Sequence, residues 1–195
     1  MTNENVFDIG GMHVEIFLSS QKVDKKGLRI ARLSHGSKIV FIQSGSEDLT
    51  DCDAMVTKNH EFPLGIKTAD CAPICFSDGT KIGIAHVGWR GLCLGLTEKM
   101  LAQFDAGKCF VYVGPFLNFF EIKKDFCYDQ ITQKFGERFI TQEGDKLVFN
   151  FKEAIASLLP RQTMYDVRNT ATELSLPSYR RGKMAERLVT TVSFA

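Results

Sequence analysis

Cys71 and His86, whose side chains could share a metal ion or a proton, are the first and last residues of a predicted hairpin. Asp78-Gly79 stands between two apolar runs, which is typical of a two-residue turn with positive φ at both central positions. Pairing about that turn sets Cys71 opposite His86, and opposed residues have Cβ atoms about 4.5 to 5.5 Å apart. The sequence therefore predicts a thiol beside an imidazole. The simpler interpretation is a buried cysteine and a hydrogen-bonded core histidine.

Both faces of this hairpin are largely apolar, which favours a sheet covered on both sides. Cys75 shares a face with Cys71, but four steps along a strand are roughly 13 Å, too far for one zinc ion. We therefore expect Cys75 to lie in the core. Pro73 cannot donate to a strand ladder, so it predicts a sheet edge or a bulge at that point.

A third metal ligand would have to be another histidine or cysteine. The remaining histidines are His13, His35 and His60, and their spacing does not choose among them. His35 is modestly favoured, because Gly36 permits a close backbone approach at the entrance of a predicted strand.

The segment after His86 could bind an anion. Residues 87–91 form a glycine-flanked turn between a strand and a helix that we expect to begin near Leu92. Backbone amides and the positive end of a helix attract phosphate or carboxylate groups. Arg90 could add a bidentate contact to such a group, or could instead stack on Trp89 in a structural role.

A second basic cluster lies near the C-terminus. It consists of Ser178-Tyr179-Arg180-Arg181. Such a cluster is usually solvated surface, although a tyrosine beside two arginines also suits a base or a phosphate.

The elements that must position these residues are mainly strands. Apolar runs typical of strands cover residues 12–18, 38–42, 63–67, 72–76, 81–87, 109–113 and 188–194. Helical spacing predicts three helices, one through Leu92, Leu96, Met100 and Phe104, one over 125–135 and one over 151–159. Runs of consecutive strands argue for an α+β fold with mixed, mostly antiparallel sheets covered by helices. No repeat or linker is visible, so residues 1–195 are expected to form a single domain.

Composition excludes several classes of protein. The chain has 195 residues and a formal net charge of +1, too little to bind nucleic acid by bulk electrostatics. Its apolar stretches are shorter than the roughly 20 residues that cross a bilayer. The polar start, Met1-Thr2-Asn3-Glu4-Asn5, lacks the features of a secretory signal, so we expect a cytoplasmic protein whose six cysteines are thiols.

Five motifs occur in the order seen in the laccase-domain family, and the chain resembles that family from about His35 to the C-terminus. They are Asp53-Ala54-Met55-Val56-Thr57, Thr68-Ala69-Asp70-Cys71-Ala72-Pro73, Ala85-His86-Val87-Gly88-Trp89-Arg90-Gly91, Val113-Gly114-Pro115 and Ser178-Tyr179-Arg180-Arg181. The second and third motifs are highly specific. Members of the family were first described as multicopper polyphenol oxidases and are now regarded as zinc-dependent purine nucleoside phosphorylases with adenosine deaminase activity.

The resemblance implies a site and an activity. The implied substrates are phosphate with adenosine, inosine or methylthioadenosine, the implied second reaction is adenosine deamination, and the implied cofactor is Zn²⁺, with Cu²⁺ as the alternative. The implied metal ligands are His35, Cys71 and His86. The implied catalytic residues are Cys71, Arg90 and, as proton shuttle, Asp70. The implied substrate contacts are Arg90, Ser178, Tyr179 and Arg180. The implied fold is similar to that of CNF-type cysteine hydrolases.

The chain departs from the family pattern at several points. Leu33-Ser34 replaces a Gln-Val pair, Asn169-Thr170 replaces a Cys-Thr pair, and Ala185-Glu186-Arg187 replaces Thr-Gly-Arg. The part before His35 is also shorter than in the family. We therefore expect one wall of the pocket to be absent or to come from a second subunit, which would make the protein a homo-oligomer.

Four functional hypotheses follow. In the first, three protein ligands leave a fourth zinc position open for a water of lowered pKa, and Arg90 with the helix start holds phosphate. In the second, a metal-free thiol hydrolase or amidase uses His86 to deprotonate Cys71, with the amides of residues 88–91 as an oxyanion hole. The third, a copper polyphenol oxidase, ranks last because four histidines are few for multicopper chemistry. The fourth is a protein that binds nucleosides without turnover.

Overall fold

Three β-sheets build the fold, and the computed structural model describes residues 5–21, 25–182 and 185–195. All but Asn5 of the polar N-terminal stretch lies outside the described residues. In spatial order, the six-stranded sheet consists of β13 (Met164–Tyr165), β9 (Phe110–Val113), β7 (Ala72–Ser77), β8 (Ile82–Val87), β5 (Ala54–Thr57) and β4 (Ile39–Ile42). The five-stranded sheet consists of β1 (Val6–Ile9), β2 (Met12–Leu18), β14 (Leu188–Phe194), β6 (Leu64–Thr68) and β3 (Arg29–Ile30). The three-stranded sheet consists of β10 (Phe119–Ile122), β12 (Lys146–Asn150) and β11 (Ile140–Glu143).

Most strand pairs are antiparallel, as the sequence predicts. Among the described strands, three pairs are parallel: β13 with β9, β3 with β6, and β4 with β5. The expectation of an α+β fold with mixed, mostly antiparallel sheets is therefore confirmed. Strands β1, β3, β5 and β10 to β13 lie outside the runs that the sequence marked; none of them has more than five residues, which leaves room for few alternating positions.

Two hydrophobic cores lie on the two faces of the six-stranded sheet. One packs that sheet against the five-stranded sheet and includes Cys75, Ile82 and Ile84. The other packs its opposite face against the helices and the three-stranded sheet and includes Ile74 and Phe76. The prediction of a hairpin covered on both sides is confirmed, and Cys75 is fully buried as expected.

Four helices complete the described part of the fold: α1 (Trp89–Cys93), α2 (Leu96–Leu101), α3 (Phe126–Phe135) and α4 (Phe151–Ala156). The prediction of one helix through Leu92 and Met100 is wrong, because the chain breaks at Gly95, whose φ of 76° is left-handed. Leu92 and Met100 still face the core from the two shorter helices. No helix in the described part of the chain is long and apolar enough to cross a membrane.

The predicted register of the β7–β8 hairpin is wrong by two residues. Cys75 pairs with Ile84, and His86 pairs with Pro73 rather than with Cys71. The loop has four residues, closed by a hydrogen bond from the Asp78 amide to the Lys81 carbonyl, 3.2 Å. The Asp78 carboxylate accepts hydrogen bonds from the amides of Thr80 and Lys81, 3.0 and 2.9 Å, and this favours the wider loop. A shift of two residues leaves every side chain on its predicted face.

Pro73 lies inside the sheet, in the second position of the central strand β7, so the predicted edge or bulge is wrong. Its carbonyl accepts a hydrogen bond from the Gly114 amide, 2.9 Å. A Cβ atom on Gly114 would lie 2.9 Å from the Pro73 ring, so glycine is needed for this approach. A proline near the start of a strand leaves most of the ladder intact.

Candidate metal centre

Three side chains that sequence analysis singled out meet at one point. The ligand atoms of His35, Cys71 and His86 all lie within 4.8 Å of one another. The two imidazole rings have centroids 4.8 Å apart and are nearly perpendicular. His86 is buried, Cys71 is half-buried and His35 is exposed, so the group lies at the floor of an opening to solvent.

Cys71 and His86 come from the ends of neighbouring elements. His86 is the fifth residue of β8, and its amide donates to the Asp53 carbonyl, 2.8 Å, at the start of β5. Cys71 lies in the turn between β6 and β7, after Asp70, which has a left-handed φ of 82°. A Cβ atom on Gly88 would lie 3.0 Å from the Cys71 sulfur, so the thiol packs against bare backbone.

His35 is held in place by the buried carboxylate of Asp53. One oxygen of Asp53 accepts the His35 amide at 2.9 Å, and the other accepts the Gly36 amide and the Ser34 hydroxyl, both at 2.8 Å. These bonds support a turn in which His35 has a φ of 62°, a conformation that non-glycine residues seldom adopt. The same carboxylate accepts from His86 Nδ1 at 3.1 Å. Asp53 therefore orients both histidines.

Electrostatics favour a thiolate at Cys71. Burial raises the pKa of this thiol, but hydrogen bonds and charge from His35 and His86 outweigh burial and lower the pKa to about 7. For His86, burial lowers the pKa, while hydrogen bonds to Asp53 and Cys71 raise it to about 9. In contrast, burial raises the pKa of Cys93, Cys109 and Cys127 to about 11. All six cysteines are free in the structure.

The donor set suits a transition metal. Two imidazole nitrogens and one thiolate are ligands that Zn²⁺ prefers, and three protein ligands with a fourth position open are typical of catalytic rather than structural sites. Asp53 occupies Nδ1 of His86, which leaves Nε2 for an ion, and such carboxylate–histidine pairs are a usual support for zinc ligands. The residues present therefore fit a zinc ion, and the same set also accepts copper.

A cleft of about 860 Å³ opens over the three residues. Besides them, it is lined by the apolar side chains of Ala31, Leu33, Trp89, Leu117, Phe120 and Phe151 and by the polar or charged side chains of Lys67, Asp70, Tyr179, Arg180 and Arg187. Aromatic walls and a few charged groups are typical of pockets for small molecules with flat rings.

Asp70 joins the cleft to the C-terminal segment. It is almost fully buried, and its two carboxylate oxygens accept from the Thr170 hydroxyl at 2.7 Å and from the Arg180 amide at 2.9 Å. The Arg181 guanidinium donates to the carbonyls of Thr170 and Glu173, both at 2.9 Å, which ties this segment together. Asp70 therefore holds one wall of the cleft in place.

The structure brings some of the expected substrate contacts to the cleft and not others. Tyr179 and Arg180 line it, and the Arg180 guanidinium lies 4.6 Å from the centre of the Phe120 ring. Ser178 is buried, and its hydroxyl accepts from the Arg181 amide at 3.3 Å. Arg90 is exposed outside the cleft lining, with its guanidinium 5.1 Å from the centre of the Trp89 ring.

Sequence reasoning gave no role to Asp53, Lys67 and Arg187. An aspartate directly before the apolar residues 54–56 is a signal for a buried carboxylate that needs partners, and this signal could have identified Asp53. Lys67 and Arg187 carried no such signal, because only the pairing of distant strands brings them to the cleft.

Comparison with known proteins places the chain in a family. The family model described as "Multi-copper polyphenol oxidoreductase laccase" matches residues 12–194. The chain is 28% identical over 167 residues to a protein of Aquifex aeolicus named purine nucleoside phosphorylase, covering 81% of this chain and 78% of that one. It is 27% identical over 171 residues to the Escherichia coli purine nucleoside phosphorylase YfiH, covering 81% and 70%.

Solved structures show the same fold. The Neisseria meningitidis protein NMB0706 superposes with a TM-score of 0.81 at 20% identity, covering 97% of this chain and 98% of that one. The Bacillus licheniformis hypothetical protein YfiH superposes with a TM-score of 0.78 at 21% identity, covering 89% and 76%. From the family match over nearly its whole length, this chain belongs to the multi-copper polyphenol oxidoreductase laccase family.

Proposed function

We propose that the protein is a zinc-dependent purine nucleoside phosphorylase that cleaves adenosine, inosine and methylthioadenosine and also deaminates adenosine. The observation that carries the proposal is the His35–Cys71–His86 donor set at the floor of a cleft with aromatic walls. The names of the related proteins from Aquifex aeolicus and Escherichia coli support the same reaction class.

His35, Cys71 and His86 would hold the ion, which would supply a Lewis acid and an open coordination position. Asp53 holds the backbone of His35 and the imidazole of His86 in place, and it fixes the proton of His86 on Nδ1. Trp89 offers a partly exposed ring against which a purine can pack, and the largely buried rings of Phe120 and Phe151 add an apolar wall that keeps water from the reacting bond.

In phosphorolysis, the bond between C1′ of the ribose and the base nitrogen breaks, a bond from C1′ to a phosphate oxygen forms, and a proton goes to the departing base. We propose Asp70 as the group that moves protons, both here and in deamination, because it lines the cleft and directly precedes Cys71 in the chain; its carboxylate would have to exchange its bond to Thr170 or to the Arg180 amide for the transferred proton. Arg90, Ser178, Tyr179 and Arg180 stay proposed substrate contacts. Among them, Tyr179 and Arg180 have direct access to the cleft.

The test combines metal analysis with turnover. Purified protein should contain close to one zinc ion per chain and should release free base from inosine only when phosphate is present. Cys71→Ala should lose both the zinc and the activity, whereas the matched variant Cys75→Ala, four residues along in the core, should keep both. Metal-loaded protein that releases no base from any of the three nucleosides would overturn the proposal.

One observation favours a second candidate, a metal-independent thiol hydrolase or amidase. The lowered pKa of Cys71, the adjacent His86 and the carboxylate of Asp53 form a nucleophile, a base and an orienting group. Metal-free protein that hydrolyses an amide and is inactivated by iodoacetamide at Cys71 would establish this candidate. Activity that disappears with the metal and returns with zinc would eliminate it.

Several finer expectations stay predictions. They are a copper ion with polyphenol oxidation, an architecture of the CNF cysteine-hydrolase type, one phosphorylase domain spanning 1–195, a cytoplasmic location and a homo-oligomer that completes the pocket. Metal analysis separates copper from zinc, and light scattering of the purified protein measures the oligomeric state.

A further inference from the structure

Three cationic side chains lie around the cleft. Lys67, Arg180 and Arg187 line it, whereas Asp70 is the one carboxylate among the lining residues that the structure describes. Both oxygens of Asp70 are already bonded to Thr170 and to the Arg180 backbone. In a chain with a formal net charge of only +1, three cationic side chains around one opening favour an anionic ligand.

Lys67 and Arg187 belong to adjacent strands of the five-stranded sheet. Lys67 pairs with Val189 in the β6–β14 ladder, and Arg187 lies two residues before Val189 and so on the same face. Such diagonal neighbours are about 7 to 8 Å apart at Cα, within reach of two long side chains. The Arg187 guanidinium also donates to the Glu186 carbonyl at 2.8 Å, so an anion shared with Lys67 would be a further partner of this side chain.

Ser19 holds the backbone of Arg187 through two hydrogen bonds. Its carbonyl accepts from the Ser19 amide at 2.8 Å, and its amide donates to the Ser19 hydroxyl at 3.0 Å. The nearby carboxylate of Glu186 accepts from the Ser20 hydroxyl at 2.6 Å. Lys67 is exposed to solvent and forms no ion pair with the described residues.

The surroundings strengthen an anion contact at this end of the cleft. Ala31, whose amide donates to the Gly65 carbonyl two residues before Lys67, and Leu33 add apolar surface to the lining of the cleft. Charge-assisted hydrogen bonds from a guanidinium and an ammonium group are the contacts that phosphate recognition usually employs. Arg90, in contrast, lies outside the lining and against Trp89.

We propose that Lys67 and Arg187 form an oxyanion-binding pair in the cleft that takes a phosphate dianion. The phosphate is either the free co-substrate or a phosphate ester carried by the nucleoside, and the two sources share this chemistry. The inference rests on the proposed function only in taking a nucleoside as the other ligand of the cleft. Binding of phosphate itself can be measured without turnover.

Trp89 provides a direct readout, because it is the one tryptophan of the chain and lines the cleft. Inorganic phosphate added to metal-loaded protein at constant ionic strength should change its fluorescence saturably. Lys67→Gln should raise the dissociation constant for phosphate at least about fivefold, since a charge-assisted contact is lost. Lys67→Arg should stay within about twofold, and so should the control Lys108→Gln, which removes an exposed charge outside the cleft.

The second arm compares inosine with inosine 5′-monophosphate in phosphate-free buffer. Tighter binding of the monophosphate that is lost in Lys67→Gln assigns the pair to an ester phosphate. Equal binding of both, with Lys67-dependent binding of inorganic phosphate, assigns it to the co-substrate. The proposal is overturned if neither phosphate source depends on Lys67 or on Arg187 (tested as Arg187→Gln).

The two proposals can fail separately. Lys67-dependent binding of phosphate without any release of base would contradict the phosphorylase and leave the oxyanion pair standing. Release of base with a phosphate KM unchanged in Lys67→Gln and Arg187→Gln would contradict the oxyanion pair and leave the phosphorylase standing.

Discussion

At the scale of single residues, the buried carboxylate of Asp53 connects the segments that carry His35 and His86 in the candidate metal centre. Asp53 is fully buried and accepts from the backbone at His35 and Gly36, from Ser34 and from His86. Burial raises the pKa of Asp53, but these hydrogen bonds outweigh burial and lower it to about 2. The ionised carboxylate therefore joins two segments that are far apart in the chain.

Asp53→Asn should weaken zinc binding by about 10- to 100-fold, the usual cost of losing a partner that orients a metal ligand. An amide group cannot accept the full set of hydrogen bonds, and it presents a donor where His86 also donates. Competition with a chromophoric chelator measures the affinity.

Ser34→Ala is the matched control for this change. It removes one of the hydrogen bonds to Asp53 and leaves the bond to His86 intact. We expect a change in zinc affinity of less than about threefold. Equal losses in Ser34→Ala and Asp53→Asn would show that the carboxylate has no special role.

At the scale of elements, the β7–β8 hairpin shows how one side chain selects a loop. The Asp78 side chain is 3% exposed and accepts from Thr80, Lys81 and the Asp105 amide. Burial raises its pKa, but the hydrogen bonds of the loop outweigh burial and lower the pKa below its ordinary value. The hairpin that positions His86 therefore depends on an ionised Asp78.

Asp78→Asn should destabilise the protein by about 1 to 3 kcal/mol at pH 7, because buried donors lose a charged acceptor. Since the folded-state pKa is depressed, the stabilisation is fully present above the unfolded pKa of about 4 and is lost as pH falls further. The difference between wild type and variant should therefore shrink below pH 4. Urea unfolding at several pH values measures it.

Asp105→Asn is the control for the loop, because the Asp105 side chain is 54% exposed and accepts from Gly107 at the surface. We expect less than about 0.5 kcal/mol from this change. A pH-independent difference between wild type and Asp78→Asn would contradict the role given to the ionised carboxylate.

At the scale of the whole molecule, the metal centre joins three parts of the fold. His35 precedes β4, Cys71 lies in the connection from the five-stranded to the six-stranded sheet, and His86 lies in β8 of the six-stranded sheet. An ion bound there would hold these parts together only in the folded chain. Binding free energy would then add directly to stability.

Zinc at 100 times its dissociation constant should add about 2.7 kcal/mol. For a chain of this length, that corresponds to a rise in Tm of roughly 5 to 10 °C. Removal of zinc with a chelator should reverse the shift, which differential scanning calorimetry can follow. In His86→Ala, added zinc should leave Tm almost unchanged; an equal shift there would place the ion elsewhere.

Local patterns in the sequence determined much of this protein. Apolar runs identified seven of the described strands, among them the four longest, and assigned each face of the β7–β8 hairpin correctly, because a period of two depends only on neighbours along the chain. The order of the motifs identified the family. The proximity of Cys71 and His86 was also foreseen, although from a register two residues away from the observed one.

Tertiary structure alone decided the rest. The turn that brings His35 to the site depends on Asp53, 18 positions away, although the family resemblance had pointed to His35 as a ligand. The proximity of Lys67 and Arg187 depends on the alignment of β6 with β14, more than 100 residues apart. For Arg90, the sequence allowed either an anion contact or stacking on Trp89. In the structure its guanidinium lies against Trp89, outside the cleft lining. Contacts between distant segments arise from packing of the whole core, and a local pattern carries no information about which distant side chain will complete it.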